Sequence, residues 1–143
     1  MKKRILPLLA AVLLALSFSA CEHQTLRTAE VTIYGNEWVT NNSVDYYYCT
    51  KAWDELTPEV VDYGLVNVYY LNPNGQQDML PLVTPMSYDT DGDGLLDYTI
   101  AENIRFDIEY GFITFIIEDM DGVLPGDMAG TQPLSFRMVA LGD

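Results

Sequence analysis

The stretch "GFITFIIED", residues 111 to 119, carries the strongest structural signal of the chain. After the turn residue Gly111, apolar side chains occupy both registers of residues 112–117. Because alternate side chains of a β-strand point to opposite faces, both faces of this strand are predicted to be covered. The stretch therefore predicts a central strand of a β-sheet.

Short runs of aromatic and β-branched residues recur along the rest of the chain, separated by turn signals. They are "EVTIYGNEW", "SVDYYYCT", "LVNVYYL", "MLPLVTPMSY", "LLDYTIAENI" with "RFDIEY", and "LSFRMVAL". Pro81 and Pro85 make the fourth run an edge strand or an irregular one, and Thr57 and Pro58 begin one or two helical turns. The pattern predicts an all-β fold, an antiparallel β-sandwich (Ig-like, Greek-key type) of about seven strands, with a partly closed barrel as the alternative.

The N-terminal segment has the features of a secretory signal peptide, predicted for residues 1–20. A basic start, "KKR", is followed by twelve apolar residues from Ile5 to Leu16, too few for a membrane span of about 20. The following "SFSAC" resembles the lipobox of bacterial lipoproteins, except that Phe18 stands where leucine is usual. The resemblance implies that Cys21 is lipidated. Residues 22–29, "EHQTLRTA", are polar and lack periodicity, so residues 21–29 are predicted to form the lipidated cysteine and a tether, followed by a β-sandwich domain at 30–143.

The charge of the chain excludes one class of partner. After residue 20, four basic residues stand against 21 acidic ones, a formal net charge of −17. Such a surface repels phosphate backbones, so nucleic acid is excluded, and attraction to anionic head groups is excluded too. Membrane attachment is therefore expected through the lipid alone, and a glycan or a protein remains as ligand.

The acidic stretch "DTDGDGLLD", residues 89 to 97, resembles the calcium loops of EF-hand, dockerin and thrombospondin-type repeats. In that pattern the Ca²⁺ ligands are Asp89, Asp91, Asp93, the carbonyl of Leu95, and Asp97. The final bidentate carboxylate is missing, because Ile100 stands there and only Glu102 follows. The same residues also predict a plain acidic hairpin tip, in which Leu96, Tyr98 and Ile100 face the core. The two interpretations are compatible, since a hairpin tip can hold Ca²⁺ with a Kd of about 10⁻⁴–10⁻³ M.

Catalytic residue types are scarce. The single histidine, His23, lies in the predicted tether, so no Ser-His-Asp or histidine-based zinc site is expected, and Cys49 is predicted to be buried in a strand. A carboxylate pair facing Trp38 or Trp53 across a cleft is the remaining enzymatic arrangement. The chain is therefore predicted not to be an enzyme.

Tyrosines are numerous, ten in all, and "YYY" at 46–48 and "YY" at 69–70 are consecutive. Neighbouring residues of a strand point to opposite faces, so some of these rings must face outward. Outward rings beside acidic groups would suit a glycan or a peptide.

Several of these segments together are similar to a group of small, uncharacterised lipoproteins of the Bacteroidetes. The resemblance rests on the lipobox, "DYYYC", "LTPEVVDYGLVNVYYL", "GFITFIIED" and "FRMVAL". It implies a lipid-anchored β-sandwich of the cell envelope without known catalysis, and Glu22 after the cysteine is compatible with the outer membrane. The expected function is a non-enzymatic binding or accessory module. The alternatives are a glycan-binding or glycan-active carboxylate-pair protein, or an adhesin- or fimbria-like assembly subunit.

Overall fold

The computed structural model describes residues 24–40, 46–89, 91, 93–119 and 132–142. The predicted signal peptide, Cys21, His23 and residues 120–131 lie outside these ranges. The described strands are β1 (Thr25–Ile33), β2 (Val39–Thr40), β3 (Tyr46–Ala52), β4 (Leu65–Leu71), β5 (Gln77–Met79), β6 (Leu82–Tyr88), β7 (Tyr98–Glu109), β8 (Phe112–Asp119) and β9 (Leu134–Gly142). A 3₁₀ turn covers Gly35–Glu37, and one α-helix, α1, covers Pro58–Tyr63.

The strands form two antiparallel sheets, which confirms the predicted β-sandwich. The four-stranded sheet has the order β1-β9-β4-β5, and the five-stranded sheet has the order β2-β3-β8-β7-β6. Within the described ranges, the two sheets do not close into a barrel. The chain changes sheet between β1 and β2, β3 and β4, β5 and β6, and β8 and β9, as the chains of Greek-key sandwiches do.

The strand of "GFITFIIED", β8, lies at the centre of its sheet, between β3 and β7. Its inward side chains Ile113, Phe115 and Ile117 are fully buried. Phe115 stacks on Phe136 of β9, with ring centroids 4.5 Å apart, and so joins the cores of the two sheets. The predicted central strand is therefore confirmed, and the predicted edge strand is confirmed in β6, the last strand of the same sheet.

The predicted helical turns are present as α1. The hydroxyl of Thr57 accepts a hydrogen bond from the backbone N–H of Val60 at 3.3 Å, and Pro58 occupies the first turn. The helix ends at Gly64, where an added Cβ would lie 2.5 Å from the carbonyl oxygen of Leu141. Glycine is needed here because the backbones of α1 and β9 approach so closely.

Three details differ from the sequence prediction. β1 begins at Thr25, five residues before the predicted domain boundary at residue 30, so part of the predicted tether belongs to the sheet. β2 and β5, with two and three residues, are too short to show periodicity and were not predicted. Leu96, predicted to face the core, is exposed instead, because it precedes the first register pair of the β6–β7 hairpin.

The sandwich has two distinct ends. The N-terminal end comprises Thr25, Gly142, α1 and the turn at Tyr110–Gly111, held together by the bond from Gly111 N–H to the Leu56 carbonyl at 2.8 Å. The hairpin end comprises the turn 72–75, the tip of the β6–β7 hairpin and the start of β9. The twelve residues of β7 separate the two ends by roughly 35–40 Å, at about 3.3 Å per residue.

Candidate functional site: an acidic hairpin tip and a tyrosine-lined groove

The acidic stretch forms the tip of the β6–β7 hairpin. Tyr88 and Tyr98 are its last register pair, and the backbone N–H of Asp97 donates to the carbonyl of Tyr88 at 2.8 Å. Gly94 has a φ of +85°, in the left-handed region where a side chain would be strained. Backbone bonds and this glycine therefore fix the loop that carries the aspartates.

Side-chain bonds to the backbone tighten the same loop. Asp89 Oδ2 accepts from the N–H of Gly94 at 2.8 Å, and Asp91 Oδ1 accepts from the N–H of Asp93 at 3.1 Å. Asp93 Oδ1 accepts from the N–H of Leu95 at 2.7 Å. Each aspartate thus satisfies a backbone donor that the turn would otherwise leave to water.

Three of the four predicted carboxylate ligands lie together. One carboxylate oxygen each from Asp89, Asp91 and Asp97 can be chosen so that all three atoms lie within 4.8 Å of one another. Asp93 is not part of this group, and its carboxylate is turned towards the Leu95 N–H. Leu95, whose carbonyl is the fifth predicted ligand, lies in the same loop with its side chain exposed.

This cluster has the chemistry of a hard-cation site. Negative oxygens at such distances repel one another, and a divalent cation between them would offset the repulsion. Ca²⁺ takes six to eight oxygens at about 2.3–2.6 Å, so three carboxylates would supply part of its coordination, with carbonyls and water completing it. The open position of the tip favours weak, extracellular-type binding.

Glu102 does not contribute to the tip. It is fully buried, and its Oε1 accepts a hydrogen bond from the Tyr88 hydroxyl at 2.8 Å. Glu102 was the one acid considered as a substitute for the missing loop ligand, and this interpretation is wrong because its register points it into the core. The sequence signal was visible, since Glu102 interrupts the inward series of Ile100 and Ile104.

The second acidic segment of the sequence, "EDMDG", is described only in part. Glu118 of β8 accepts bonds from Arg105 and Asn103 of β7, at 3.0 and 3.2 Å. The hydrogen bond from Arg105 is the main reason that the pKa of Glu118 is lowered. Asp121 lies outside the described residues.

The outer face of the five-stranded sheet carries a groove. Tyr46 and Tyr48 of β3 form one wall, in an edge-to-face pair with centroids 6.1 Å apart, and Asp107 and Glu109 of β7 form the opposite rim. The groove has a volume of about 340 Å³. Its floor includes Ile116, which is buried although it lies on the outer face, because its register neighbours are Tyr48 and Arg105.

The consecutive tyrosines point to opposite faces, as their spacing predicts. Tyr47 is buried in the core between the half-exposed Tyr46 and Tyr48. In β4, Tyr70 packs on Phe136 with centroids 5.9 Å apart, and Tyr69 faces outward. Aromatic surface is therefore available on the outer faces of both sheets, and on the five-stranded sheet it lines a groove.

Other candidate residues lie in the core. Trp38 and Trp53 are 8% and 7% exposed, so neither lines an open cleft of the kind a carboxylate-pair glycosidase would need. Cys49 is buried, as predicted, and burial raises the pKa of its thiol. A thiol in that state is a poor nucleophile at neutral pH.

No family model, no curated protein and no solved structure matches this chain. Among the residues that the structure describes, no helix has the length and apolar character required to cross a bilayer.

Proposed function

We propose that this chain is a lipid-anchored β-sandwich of the bacterial cell envelope that acts as a non-enzymatic binding or accessory module. The lipobox-like sequence before Cys21 supports the anchor, and β1 begins only four residues later. An acylated cysteine attaches a domain stably, because each buried CH₂ contributes about 0.8 kcal/mol. The outer membrane is the expected site of attachment.

The observation that carries the binding role is the groove between Tyr46, Tyr48, Asp107 and Glu109. Tyrosine rings offer flat apolar surfaces on which the C–H face of a sugar ring stacks, and carboxylates accept hydrogen bonds from sugar hydroxyls. Asp107 is held in place by two bonds from Arg105 Nη1, at 3.0 and 3.1 Å. The groove therefore favours a neutral oligosaccharide as ligand.

The test uses the full lipidated chain in a detergent without sugar groups. Maltotetraose, cellotetraose and chitotetraose are titrated by calorimetry against the native protein and a Tyr48→Ala variant. We expect one of the three to bind, and Tyr48→Ala to lose at least tenfold in affinity. The matched control is Tyr69→Ala, on the outer face of the other sheet, which should bind as the native chain does. Equal loss in both variants, or no binding of any probe, contradicts a glycan role for the groove.

A second property is favoured by the cluster of Asp89, Asp91 and Asp97. We propose that the hairpin tip binds Ca²⁺ weakly, with a Kd of about 10⁻³ M. At about 10 mM Ca²⁺ this affinity would add about 1.4 kcal/mol to the free energy of unfolding.

The calcium test follows the melting temperature of the full chain during Ca²⁺ titration. Asp91→Asn should abolish the rise, whereas Asp78→Asn, in β5, should preserve it. Asp93→Asn is a closer control, because Asp93 lies in the same loop but outside the cluster. Its substitution should weaken Ca²⁺ binding less than Asp91→Asn does. A melting temperature that stays constant to several millimolar would reduce the tip to an acidic turn.

The assembly-subunit alternative requires an open sheet edge for strand addition. Of the described edge strands, β2 and β5 are short and β6 contains Pro85, so the nine-residue β1 is the edge best suited to accept a partner strand. Loss of the native oligomeric state on a β1 edge substitution would favour this alternative over a binding module.

A further inference from the structure

Three leucines form one row across the outer face of the four-stranded sheet, at its N-terminal end. Leu26 of β1 pairs with Leu141 of β9, and Leu141 pairs with Leu65 of β4. Directly opposed residues point to the same side, so the three side chains are neighbours. Leu26 and Leu65 are nevertheless 65% and 55% exposed. This arrangement, the leucine row, leaves apolar surface in water that burial would stabilise.

The same face becomes polar away from this end. The next rows pair Thr28 with Val139 and Asn67, and then Glu30 with Arg137 and Tyr69. In the latter, Arg137 and Glu30 form an ion pair at 2.6 Å. Farther along the face, the exposed Met79 of β5 stands beside Tyr69 in the row that holds the ion pair, whereas leucines alone fill the row at the N-terminal end.

Aromatic side chains extend the apolar surface around the same end. Tyr63, the last residue of α1, is 89% exposed, and Tyr110 and Phe112 of the β7–β8 turn are about half exposed. The Tyr110 hydroxyl donates to both carboxylate oxygens of Asp62 at 3.0 Å, which ties this turn to α1. Tyrosine, with an apolar ring and a polar hydroxyl, is the residue type enriched at membrane–water interfaces.

The position of the anchor identifies what would cover this surface. Three residues separate Cys21 from Thr25, the first residue of β1, and the four steps along the chain extend at most about 14 Å. Lipidation of Cys21, on which this inference rests as part of the proposed function, would hold the N-terminal end within that distance of the acyl chains. The hairpin end would then lie roughly 35–40 Å farther out, at about 3.3 Å per residue of β7.

We infer that the N-terminal end docks directly on the bilayer surface, with the leucine row, Tyr63, Tyr110 and Phe112 in the headgroup region. The domain then has a fixed orientation, in which the acidic hairpin tip points away from the membrane. Lipid is favoured over a second copy of the chain, because the anchor brings this end to the bilayer in every molecule.

The charges of the same end specify the kind of lipid surface. Asp54, Glu59 and Glu109 are exposed there. Two cations described near this end are already paired, Arg27 with Glu55 at 2.7 Å and Lys51 with Glu37. Anionic head groups would repel these carboxylates, whereas zwitterionic head groups carry no net surface charge. The surface is therefore a zwitterionic phospholipid layer.

The test compares two matched leucine-to-cysteine variants of the full lipidated chain. Leu65→Cys places a polarity-sensitive fluorophore at the N-terminal end, and Leu95→Cys places it at the hairpin tip, where the native leucine is 69% exposed. Cys49 is buried and should not react under native conditions. Each labelled protein is reconstituted into phosphatidylcholine vesicles that carry a headgroup-level quencher.

We expect quenching at residue 65 to exceed quenching at residue 95 at least fivefold. The difference should shrink when half of the phosphatidylcholine is replaced by phosphatidylglycerol. Equal quenching at both positions in vesicle-bound protein would overturn the docking and leave the anchor intact. A doubled mass in detergent would also overturn the docking if the double variant Leu26→Ser, Leu65→Ser abolished it. A second copy of the chain would then cover the leucine row. The anchor itself would be contradicted by two other results. Either the native protein does not remain on the vesicles, or the Cys21→Ser variant remains on them as well as the native protein does.

Discussion

The two ends of the sandwich are built from the same two sheets and yet differ in how their exposed side chains are grouped. The N-terminal end exposes leucine and tyrosine side chains around the first residues of β1. The hairpin end gathers Asp89, Asp91 and Asp97 around one small volume. The difference shows that one rigid core can present a row of leucines at one end and a cluster of carboxylates at the other.

The largest expected effect tests whether one core supports both ends. Phe115→Ala removes a fully buried ring that stacks on Phe136 of the other sheet, and should lower the free energy of unfolding by about 3–5 kcal/mol. Urea unfolding followed by circular dichroism measures the change.

The matched control is Phe112→Ala on the same strand, where the ring is half exposed and the cost should be about 1 kcal/mol. Similar losses in the two variants would mean that the sheets do not share the core described here.

A pair of glycine substitutions compares the two ends directly. Gly64→Ala puts a Cβ 2.5 Å from the Leu141 carbonyl oxygen, so α1 must move away from β9 at a cost of about 3 kcal/mol. Gly94→Ala meets open space at the hairpin tip, and only its φ of +85° is unfavourable, at about 1 kcal/mol. Thermal unfolding of both variants, each compared with the native chain, gives the order. A larger loss from Gly94→Ala would show that the hairpin end is the more tightly constrained of the two.

The smallest effect is the pH dependence of the ion pair between β7 and β8. In the folded protein, the hydrogen bond from Arg105 holds the pKa of Glu118 below its ordinary value. The pair therefore stabilises the fold above that value, and the contribution is lost as the pH falls through the folded pKa. Both side chains are about one third exposed, so the effect should stay below about 1 kcal/mol.

Arg105→Gln should flatten the decline in melting temperature between about pH 5 and pH 3. Arg137→Gln, which removes one arginine from the other sheet, is the control and should keep the decline. An unchanged profile in Arg105→Gln would mean that other carboxylates govern acid stability.

The sandwich was predictable because period-two patterns and turn residues are local. The apolar residues of "GFITFIIED" are enough to predict a central strand. Pro81 and Pro85 likewise indicate an edge strand even when the neighbouring strand is not known. β2 and β5 were not predictable, since two or three residues carry no period. The role of Glu102 depends on its partner Tyr88, fourteen residues away, and on a register that the sequence leaves open.

The sites show the same limit. The motif at 89–97 predicted an acidic loop, but the bond from the Leu95 N–H that turns the Asp93 carboxylate away from the cluster depends on the folded loop. The leucine row joins residues 26, 65 and 141, whose adjacency follows only from the strand order β1-β9-β4. Surface features made by distant strands therefore need the topology, whereas those made by one turn can be anticipated.

Hydrogen exchange of the full lipidated chain on phosphatidylcholine vesicles, with and without Ca²⁺, tests the contrast between the two ends most directly. We expect transfer from detergent to vesicles to slow exchange around residues 26, 63–65, 110–112 and 141 only, and Ca²⁺ to slow exchange at 91–97 only. Slowing of the hairpin tip by vesicles, or an N-terminal end that exchanges equally fast on vesicles and in detergent, would contradict this expectation.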